Sequence, residues 1–299
     1  MQTVVKAIAI TGGTHGNELT GVYLINKFKA HPASVARDNF ETIVMHTNEK
    51  AIEQCRRYID IDLNRTFSKE NLVDPDKSSY EDLLAKAIDQ KLGPKGIDNP
   101  VVDFIVDLHS TTSNMGLSLI VDNENELTWQ VASYLKEQEP KVKIFKWKGD
   151  TGDASFVHSV AQNGFAIEVG AVPQGVLRAD IFAQTENLIQ HLLDFFEKLN
   201  SGTLERYTKS IEIYEYVELV DFPRDHQGNI VGMVHPDLQD NDYSVIEKGD
   251  PLFITLEGEV IPYDQDERVY ALFINEAAYY EKGFAMCLSK KKMIEMPKD

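Results

Sequence analysis

The sequence predicts an α/β fold followed by a smaller β-rich C-terminal domain. Up to about residue 200, apolar runs of strand length alternate with segments whose apolar residues recur at helical spacing, which is typical of α/β proteins. Beyond that point, short runs rich in β-branched and aromatic residues are separated by Gly, Pro, Asn and Asp, which favours β structure. We therefore expect one domain over residues 1–203 and a second over residues 204–299.

The first half of the α/β domain begins with an apolar strand that leads into a glycine-rich turn. The helix after this turn is predicted from apolar residues three or four positions apart, and a later helix is ended by Gly93-Pro94. An apolar, β-branched run between Pro100 and a polar Ser/Thr/Asn loop indicates a buried strand. The predicted elements are a strand at 4–10, a helix at 18–28, a strand at 41–46, a helix at 78–92 and a strand at 101–108.

The second half continues the alternation until a long helix closes the domain. Leu188, Leu192 and Leu199 lie on one face of that helix, and Gly202 is placed to stop it. The predicted elements are a strand at 116–121, a helix at 125–138, strands at 142–147 and 164–169 and a helix at 179–199, followed by β-type runs at 211–220, 252–256 and 269–274.

Composition limits the classes of partner. The chain has 299 residues, of which 42% are hydrophobic, so it can bury a full core. Its 48 acidic and 30 basic residues give a formal net charge of −18, which argues against nucleic acid and anionic membranes as partners. Only two cysteines, Cys55 and Cys287, are present, and no apolar leader precedes the first strand, so we expect a cytoplasmic protein and no cysteine-rich zinc site.

Two histidines and a glutamate form a candidate metal site. His15 and Glu18 are three positions apart on the turn that Gly12-Gly13 opens, where the backbone can fold closely around one cation. His109 ends the predicted strand 101–108, and the carboxyl ends of strands in open α/β sheets share one ligand-binding edge. Two histidines, one carboxylate and an open fourth position are typical of catalytic zinc, so we expect one Zn²⁺ per chain.

Glu168 is the candidate catalytic base. It interrupts an apolar run that otherwise indicates a buried strand, and a carboxylate is rarely buried without a partner or a task. It could take a proton from a water molecule and pass it to a departing amine. The alternative is a glutamate paired with a structural arginine.

An arginine-rich segment supplies positive charge in this acidic chain. Residues 56–67 contain Arg56, Arg57 and Arg65, together with two aspartates that could hold them. The planar guanidinium group matches a carboxylate, so the segment suits an anionic small-molecule substrate. The alternative is an ion-pair cluster on the surface.

These motifs resemble those of the aspartoacylase family, which belongs to the zinc carboxypeptidase-like hydrolases. The resemblance spans nearly the whole chain in the expected order and implies a mixed sheet flanked by helices, with a C-terminal domain that partly covers the active-site entrance. The matching segments are 12–21 (GGTHGNELTG), 57–60 (RYID), 62–65 (DLNR), 107–109 (DLH), 167–170 (IEVG), 173–180 (PQGVLRAD) and 275–282 (NEAAYYEK).

The resemblance also implies roles for individual residues. The three candidate ligands match the family's zinc ligands, and Glu168 matches the residue that activates water. Arg57 matches the arginine that polarises the scissile carbonyl and stabilises the oxyanion. Asn64 and Arg65 match the pair that holds the α-carboxylate of the amino acid. Tyr279 matches a tyrosine that reaches the substrate from the C-terminal domain.

One position departs from the family pattern. Members selective for N-acetylaspartate carry an arginine for the β-carboxylate ten positions before the catalytic glutamate, and this chain has His158 there. Histidine binds a carboxylate well only when it is protonated, and its ordinary pKa is about 6.5. Either Lys282 or another basic group replaces the arginine, or the pocket prefers other N-acyl amino acids, such as aromatic ones.

The sequence thus predicts a zinc-dependent amidohydrolase, with N-acetyl-L-aspartate as the first choice of substrate. An aminoacylase for other N-acetyl amino acids is the first alternative, and a carboxypeptidase with the same metal chemistry is the second. A phosphate- or nucleotide-binding module is disfavoured because the glycine-rich turn lacks the Gly-Lys-Ser/Thr ending of a P-loop. A non-catalytic zinc protein would have no use for Glu168. A homo-oligomer is possible.

Overall fold

The computed structural model describes residues 4–97, 100–148, 153–204 and 210–295. The helices are α1 (Leu19–Ala30), α2 (Glu49–Glu53), α3 (Lys69–Val73), α4 (Tyr80–Leu92), α5 (Glu126–Gln138) and α6 (Ala179–Ser201). The strands are β1 (Ala7–Gly12), β2 (Glu41–His46), β3 (Phe104–Ser110), β4 (Gly116–Val121), β5 (Lys143–Lys146), β6 (Asn163–Gly170), β7 (Ile211–Val220), β8 (Gly232–Val234), β9 (Val245–Ile246), β10 (Pro251–Thr255), β11 (Val260–Pro262), β12 (Val269–Leu272) and β13 (Met286–Ile294).

A ten-stranded mixed sheet runs through the molecule in the order β2-β1-β3-β6-β4-β5-β7-β13-β12-β9. Strands β2, β1, β3 and β6 are mutually parallel, whereas β4 pairs antiparallel with β6. A small second sheet, β11-β10-β8, lies in the C-terminal part. The expected fold class, a mixed sheet flanked by helices with a β-rich C-terminal part, is confirmed.

The predicted elements of the α/β part are present, with small differences at their ends. The first strand occupies Ala7–Gly12 instead of residues 4–10, because it takes its register from β2 and β3 on either side. The short helices α2 and α3 and several strands of the C-terminal part were not predicted from the sequence. The longest of these is β13, whose outer half is exposed and rich in lysine, so it lacks an apolar pattern.

The large sheet continues from the α/β part into the C-terminal part. Strand β5 pairs in parallel with β7, which in turn pairs with β13 over almost its whole length. At this junction Phe145, Tyr214 and Phe273 belong to one buried apolar cluster. The boundary between residues 203 and 204 remains a prediction, and residues 205–209 lie outside the described part of the chain.

Close packing of α1 on the sheet brings the loop after β1 over the end of β3. A Cβ atom on Gly21 would lie 2.7 Å from the carbonyl oxygen of Leu108, so only glycine permits this approach. A Cβ atom on Gly16 would lie 2.0 Å from the backbone of Ala51. The glycines of the first motif thereby place the N-terminal end of α1 beside His109. Among the described residues, no helix combines the length and the apolar content that crossing a membrane requires.

Candidate active site

The carboxyl ends of three neighbouring parallel strands bring the predicted site residues together. His15 lies in the loop after β1, and Glu18 immediately precedes α1. His109 is the penultimate residue of β3, and Glu168 stands opposite it on β6. All four side chains line one cavity of about 620 Å³. The convergence expected from the topology of open α/β sheets is therefore found.

The three candidate ligands present their donor atoms to a common point. Nδ1 of His15 lies 2.6 Å from one carboxylate oxygen of Glu18, and Nδ1 of His109 lies 2.9 Å from the other. The two Nδ1 atoms are 3.2 Å apart. One donor atom from each of the three residues lies within 4.8 Å of the others, and all three side chains are buried. A cation is the ligand that such a set of electron-pair donors suits.

Two buried aspartates hold the opposite nitrogen of each imidazole. Asp62 lies 3.0 Å from Nε2 of His15, and Asp107 lies 2.7 Å from Nε2 of His109. Donation from Nε2 to these carboxylates leaves both Nδ1 lone pairs for the metal, which is the usual arrangement around zinc-bound histidines. This role was not predicted from the sequence for either aspartate. Asp107 could have been noticed, because a carboxylate in an otherwise apolar strand is rarely buried without a partner.

The charge of this cluster also suits a divalent cation. If both imidazoles are neutral, the cluster has a net charge of −2. This charge is the sum of three carboxylates and one guanidinium, from Glu18, Asp62, Asp107 and Arg57. Burial lowers the pKa of His109, but Asp107 and Glu18 raise it well above its ordinary value. A bound dication would supply the missing positive charge. The residues present fit the expected zinc ion.

Arg57 is fixed beside the cluster with its charge retained. Its guanidinium donates to Glu18 and to Asp62, each over 3.2 Å. Burial alone would lower the pKa of Arg57, but the two carboxylates raise it above its ordinary value. The alternative of a surface ion-pair cluster does not describe Arg57, because its ion pairs are partly buried, with its side chain 15% exposed and lining the cavity.

Glu168 has the properties of a group that exchanges protons near neutral pH. It is partly buried, and among the described residues its carboxylate has no hydrogen-bond or ion-pair partner, so the alternative of a structural arginine pair is not seen. Burial first, and the negative charge of Glu18 second, raise the pKa of Glu168 to about 8. A carboxyl group with such a pKa can both accept and return a proton.

Asn64 and Arg65 lie on the same wall of the cavity. Oδ1 of Asn64 accepts a hydrogen bond from the amide of Val157, while its Nδ2 is 3.4 Å from Nε2 of His109. Arg65 donates to the carbonyl oxygen of Asn64 and lies 5.2 Å from the ring centre of Phe156. Within the described ranges it has no carboxylate partner, so its charge is free for an anionic ligand.

Tyr279 reaches the cavity from the C-terminal part. It lies on a 3₁₀ helix, Ala277–Lys282, and its ring packs 4.2 Å from that of Phe284. Glu276, just before this helix, is buried and accepts hydrogen bonds from the Ser/Thr loop that follows His109. Sequence reasoning missed Glu276, although it stands in the same motif as Tyr279.

His158 also lines the cavity. Its ring is buried and stacked on Phe156, with ring centres 5.5 Å apart, and its Nε2 lies 3.1 Å from Oδ1 of Asp122. Lys282 is absent from the cavity lining and lies 3.4 Å from Glu281. The cavity therefore contains His158, but not the lysine that was expected as one substitute for the missing arginine.

Comparison with known proteins gives two family matches that together cover most of the chain. Residues 4–196 match the family described as succinylglutamate desuccinylase/aspartoacylase catalytic domain, and residues 209–291 match the AstE/AspA barrel-sandwich hybrid domain. A probable aspartoacylase of Trichodesmium erythraeum is 46% identical over 98% of this chain and 99% of its own length.

Two further relatives have names other than aspartoacylase. The human N-acyl-aromatic-L-amino acid amidohydrolase (carboxylate-forming) is 41% identical over 98% of this chain and 92% of its own length. Among solved structures, murine aminoacylase 3 superposes with a TM-score of 0.94 at 38% identity, covering 99% of both chains.

Proposed function

The chain belongs to the succinylglutamate desuccinylase/aspartoacylase family of hydrolases, which act on N-acyl amino acids, and on this basis we propose that it is a zinc-dependent amidohydrolase for N-acyl-L-amino acids. The observation that carries the proposal is the convergence of His15, Glu18 and His109 beside Glu168, whose carboxyl group has no partner among the described residues. The non-enzymatic alternatives are set aside by the family membership.

The metal would be held by His15, Glu18 and His109. When bound, zinc would polarise the scissile carbonyl and lower the pKa of an attacking water molecule. Asp62 and Asp107 would orient the two imidazoles, as carboxylates around zinc sites commonly do.

Proton transfer is proposed for Glu168 and oxyanion stabilisation for Arg57. Glu168 would take a proton from the attacking water and return it to the leaving amine, which its pKa of about 8 permits near neutral pH. Arg57 would donate to the oxygen that becomes negative in the transition state, an interaction that contributes about 2.7–4 kcal/mol in comparable sites. Both side chains line the cavity that contains the candidate ligands.

Arg65 and Asn64 are proposed to bind the α-carboxylate, and Tyr279 to contact the substrate from the C-terminal side. Arg65 suits this role because its guanidinium has no carboxylate partner among the described residues and lies at the cavity wall. Tyr279 lies on the 3₁₀ helix Ala277–Lys282. Glu276 fixes the start of this helix through hydrogen bonds with Ala278 and with the loop after His109.

The arrangement of charges favours a substrate with a single carboxylate. Of the two arginines in the cavity, Arg57 already has two acidic partners, which leaves Arg65 for one substrate carboxylate. Much of the remaining wall is apolar or aromatic, including Ile120, Trp147 and Phe156. N-acetyl amino acids with aromatic or other apolar side chains are therefore the first candidates.

N-acetyl-L-aspartate, the first choice of the sequence analysis, is the second candidate. It is favoured by the names of close relatives, since the protein of Trichodesmium erythraeum is called a probable aspartoacylase. Its β-carboxylate would need a cation other than Arg65. A cytoplasmic location and a homo-oligomer remain predictions.

The test is kcat/KM for N-acetyl-L-tyrosine and for N-acetyl-L-aspartate on zinc-loaded protein, with a chelated sample as the blank. We expect metal-dependent hydrolysis with a preference for the tyrosine compound. Preference for the aspartate compound would support the second candidate. Absence of turnover with both compounds, or turnover that survives chelation, would contradict the zinc amidohydrolase.

A further inference from the structure

A buried acid-base pair lies where the cavity wall meets the end of strand β4. Asp122 directly follows β4, and His158 lies on the 3₁₀ helix Val157–Val160. The two residues are 7% and 2% exposed, and Nε2 of His158 is 3.1 Å from Oδ1 of Asp122. Only His158 lines the cavity, so Asp122 stands behind it.

The pair has unused hydrogen-bonding capacity. Although Nε2 of His158 lies 3.1 Å from Oδ1 of Asp122, both ring nitrogens of His158 and Oδ2 of Asp122 have no hydrogen-bond partner within the described part of the chain. Buried polar groups normally have partners, and exceptions often belong to functional sites. The ring of His158 is nevertheless held in place by stacking on Phe156.

We propose that Asp122 is a positioning residue for substrate selectivity, which acts through His158 to disfavour substrates with a second carboxylate. The inference rests on the proposed deacylase function and deepens it by naming the group that sets the choice between monoanionic and dianionic substrates. Nothing in the sequence singled out Asp122.

The charge of the pair explains the effect when the imidazole has the same protonation state with and without the Asp122 carboxylate. With a neutral imidazole the pair carries one negative charge, and with a protonated imidazole it is neutral. In neither state does it offer net positive charge to a second carboxylate. Without the Asp122 carboxylate, the same position would be neutral or positive, and in a partly buried site one unit of charge changes an ionic interaction by tenfold or more.

Lys95 interacts electrostatically with Asp122 but does not line the cavity, and the charged groups that do line it do not offset this effect. Arg65 also lies against the ring of Phe156, 5.2 Å from its centre, and is the proposed partner of the first carboxylate. Glu168 and Glu276 also line the cavity and carry or can carry negative charge. A second carboxylate would therefore meet acidic groups without a cation of its own.

The experiment compares Asp122→Asn with wild type on zinc-loaded, full-length protein. The readout is the ratio of kcat/KM for N-acetyl-L-aspartate to that for N-acetyl-L-tyrosine, which a general loss of stability would not change. We expect the ratio to rise by about tenfold, because the substitution removes one negative charge. An unchanged or lower ratio would overturn the inference.

Asp237→Asn is the matched control. Asp237 also faces a histidine, with His235 Nδ1 3.7 Å from its carboxylate, but this pair lies in the C-terminal part and Asp237 is 79% exposed. We expect the ratio to stay at the wild-type value. A rise equal to that of Asp122→Asn would point to overall charge instead of the local pair and would overturn the inference.

A double-variant test asks whether Asp122 acts through the imidazole. His158→Gln removes the ring and keeps the Asp122 carboxylate, so the ratio of the two kcat/KM values should not rise above that of wild type. If Asp122→Asn does not fold, His158→Gln is tested by itself. In the His158→Gln background, Asp122→Asn should change the ratio less than in wild type; an equal change would contradict action through His158. If wild type hydrolyses neither compound, the proposed function is wrong. If wild type hydrolyses them but Asp122→Asn leaves the ratio of kcat/KM values unchanged, only the role of Asp122 is wrong.

Discussion

The surroundings of Glu168 in the fold disfavour ionisation of its carboxyl group. Burial and the negative charge of Glu18 raise its pKa to about 8, compared with about 4.5 in an unfolded chain. Between these two values the folded state holds a proton that the unfolded state has lost, so the free energy of unfolding falls as pH rises from about 4.5 to 8. The raised pKa of Glu168 therefore lowers the free energy of unfolding near neutral pH.

Glu168→Gln should separate these two effects. The amide cannot ionise, so metal-free Glu168→Gln protein should become more stable than metal-free wild type as pH rises from 5 to 8, by about 1–3 kcal/mol at pH 8. The same variant should bind zinc and lose turnover, because it lacks the proton acceptor. Thermal melting across the pH range, metal analysis and kcat measure the three properties.

Two results would contradict this account of Glu168. A stability difference that does not grow with pH would mean that its carboxyl group ionises normally in the fold. Substantial turnover by Glu168→Gln would mean that another group accepts the proton.

At the scale of elements, a glutamate on helix α4 organises the arginine segment, residues 56–67. Glu81 is fully buried and accepts hydrogen bonds from the backbone amides of Ile59, Asp60 and Ile61, at 2.7, 2.9 and 3.2 Å. Arg57 precedes these amides and Asp62 follows them. One carboxylate thus holds the turn between the proposed oxyanion-binding arginine and the aspartate that contacts His15.

Glu81→Ala is expected to loosen the whole segment. Each amide left without an acceptor costs about 1–3 kcal/mol, so the free energy of unfolding should fall by several kcal/mol, and kcat/KM should fall at least about tenfold because Arg57 is misplaced. Denaturant unfolding and steady-state kinetics measure the two effects. Glu137→Ala, on an exposed face of α5, is the control and should behave as wild type.

At the scale of the whole molecule, the C-terminal part completes the cavity and does not stand apart from it. The shared sheet joins the two parts through β5 and β7. Glu276 adds a second connection, since one of its oxygens accepts from Thr111, Thr112 and Ser113, and the other from Ala278. This connection sets the position of the helix that carries Tyr279.

Glu276→Gln should weaken that connection. The glutamine side chain has only one acceptor oxygen, so either the loop at residues 111–113 or the amide of Ala278 loses its hydrogen-bond acceptor. We therefore expect the free energy of unfolding to fall by about 1–3 kcal/mol and KM to rise. Glu281→Gln, on the same 3₁₀ helix but at the surface with Tyr58, should change stability by less than about 0.5 kcal/mol. Equal effects of the two substitutions would contradict the importance of the Glu276 contacts.

Local patterns were sufficient for most of the fold in the α/β part. Buried strands such as β3 and β6 are continuous apolar runs, and α6 has a clear apolar face with Gly202 at its end. Strands of the C-terminal part were harder to predict because they are short or half exposed. In β13 the four residues from Met286 are buried and the following lysines are not, so no single period extends through the strand.

The sequence by itself determined the reaction class and the candidate site residues, since His15, Glu18, His109 and Glu168 stand where strands end and the order of such motifs is specific. Only the tertiary structure decided what these residues contact. The roles inferred for Asp122, Glu81 and Glu276 depend on partners at least twenty positions away, and a hydrogen bond or ion pair between distant segments has no local sequence pattern. Metal chemistry restricts residue type and therefore marks the sequence, whereas charge balance in a pocket depends on positions in space.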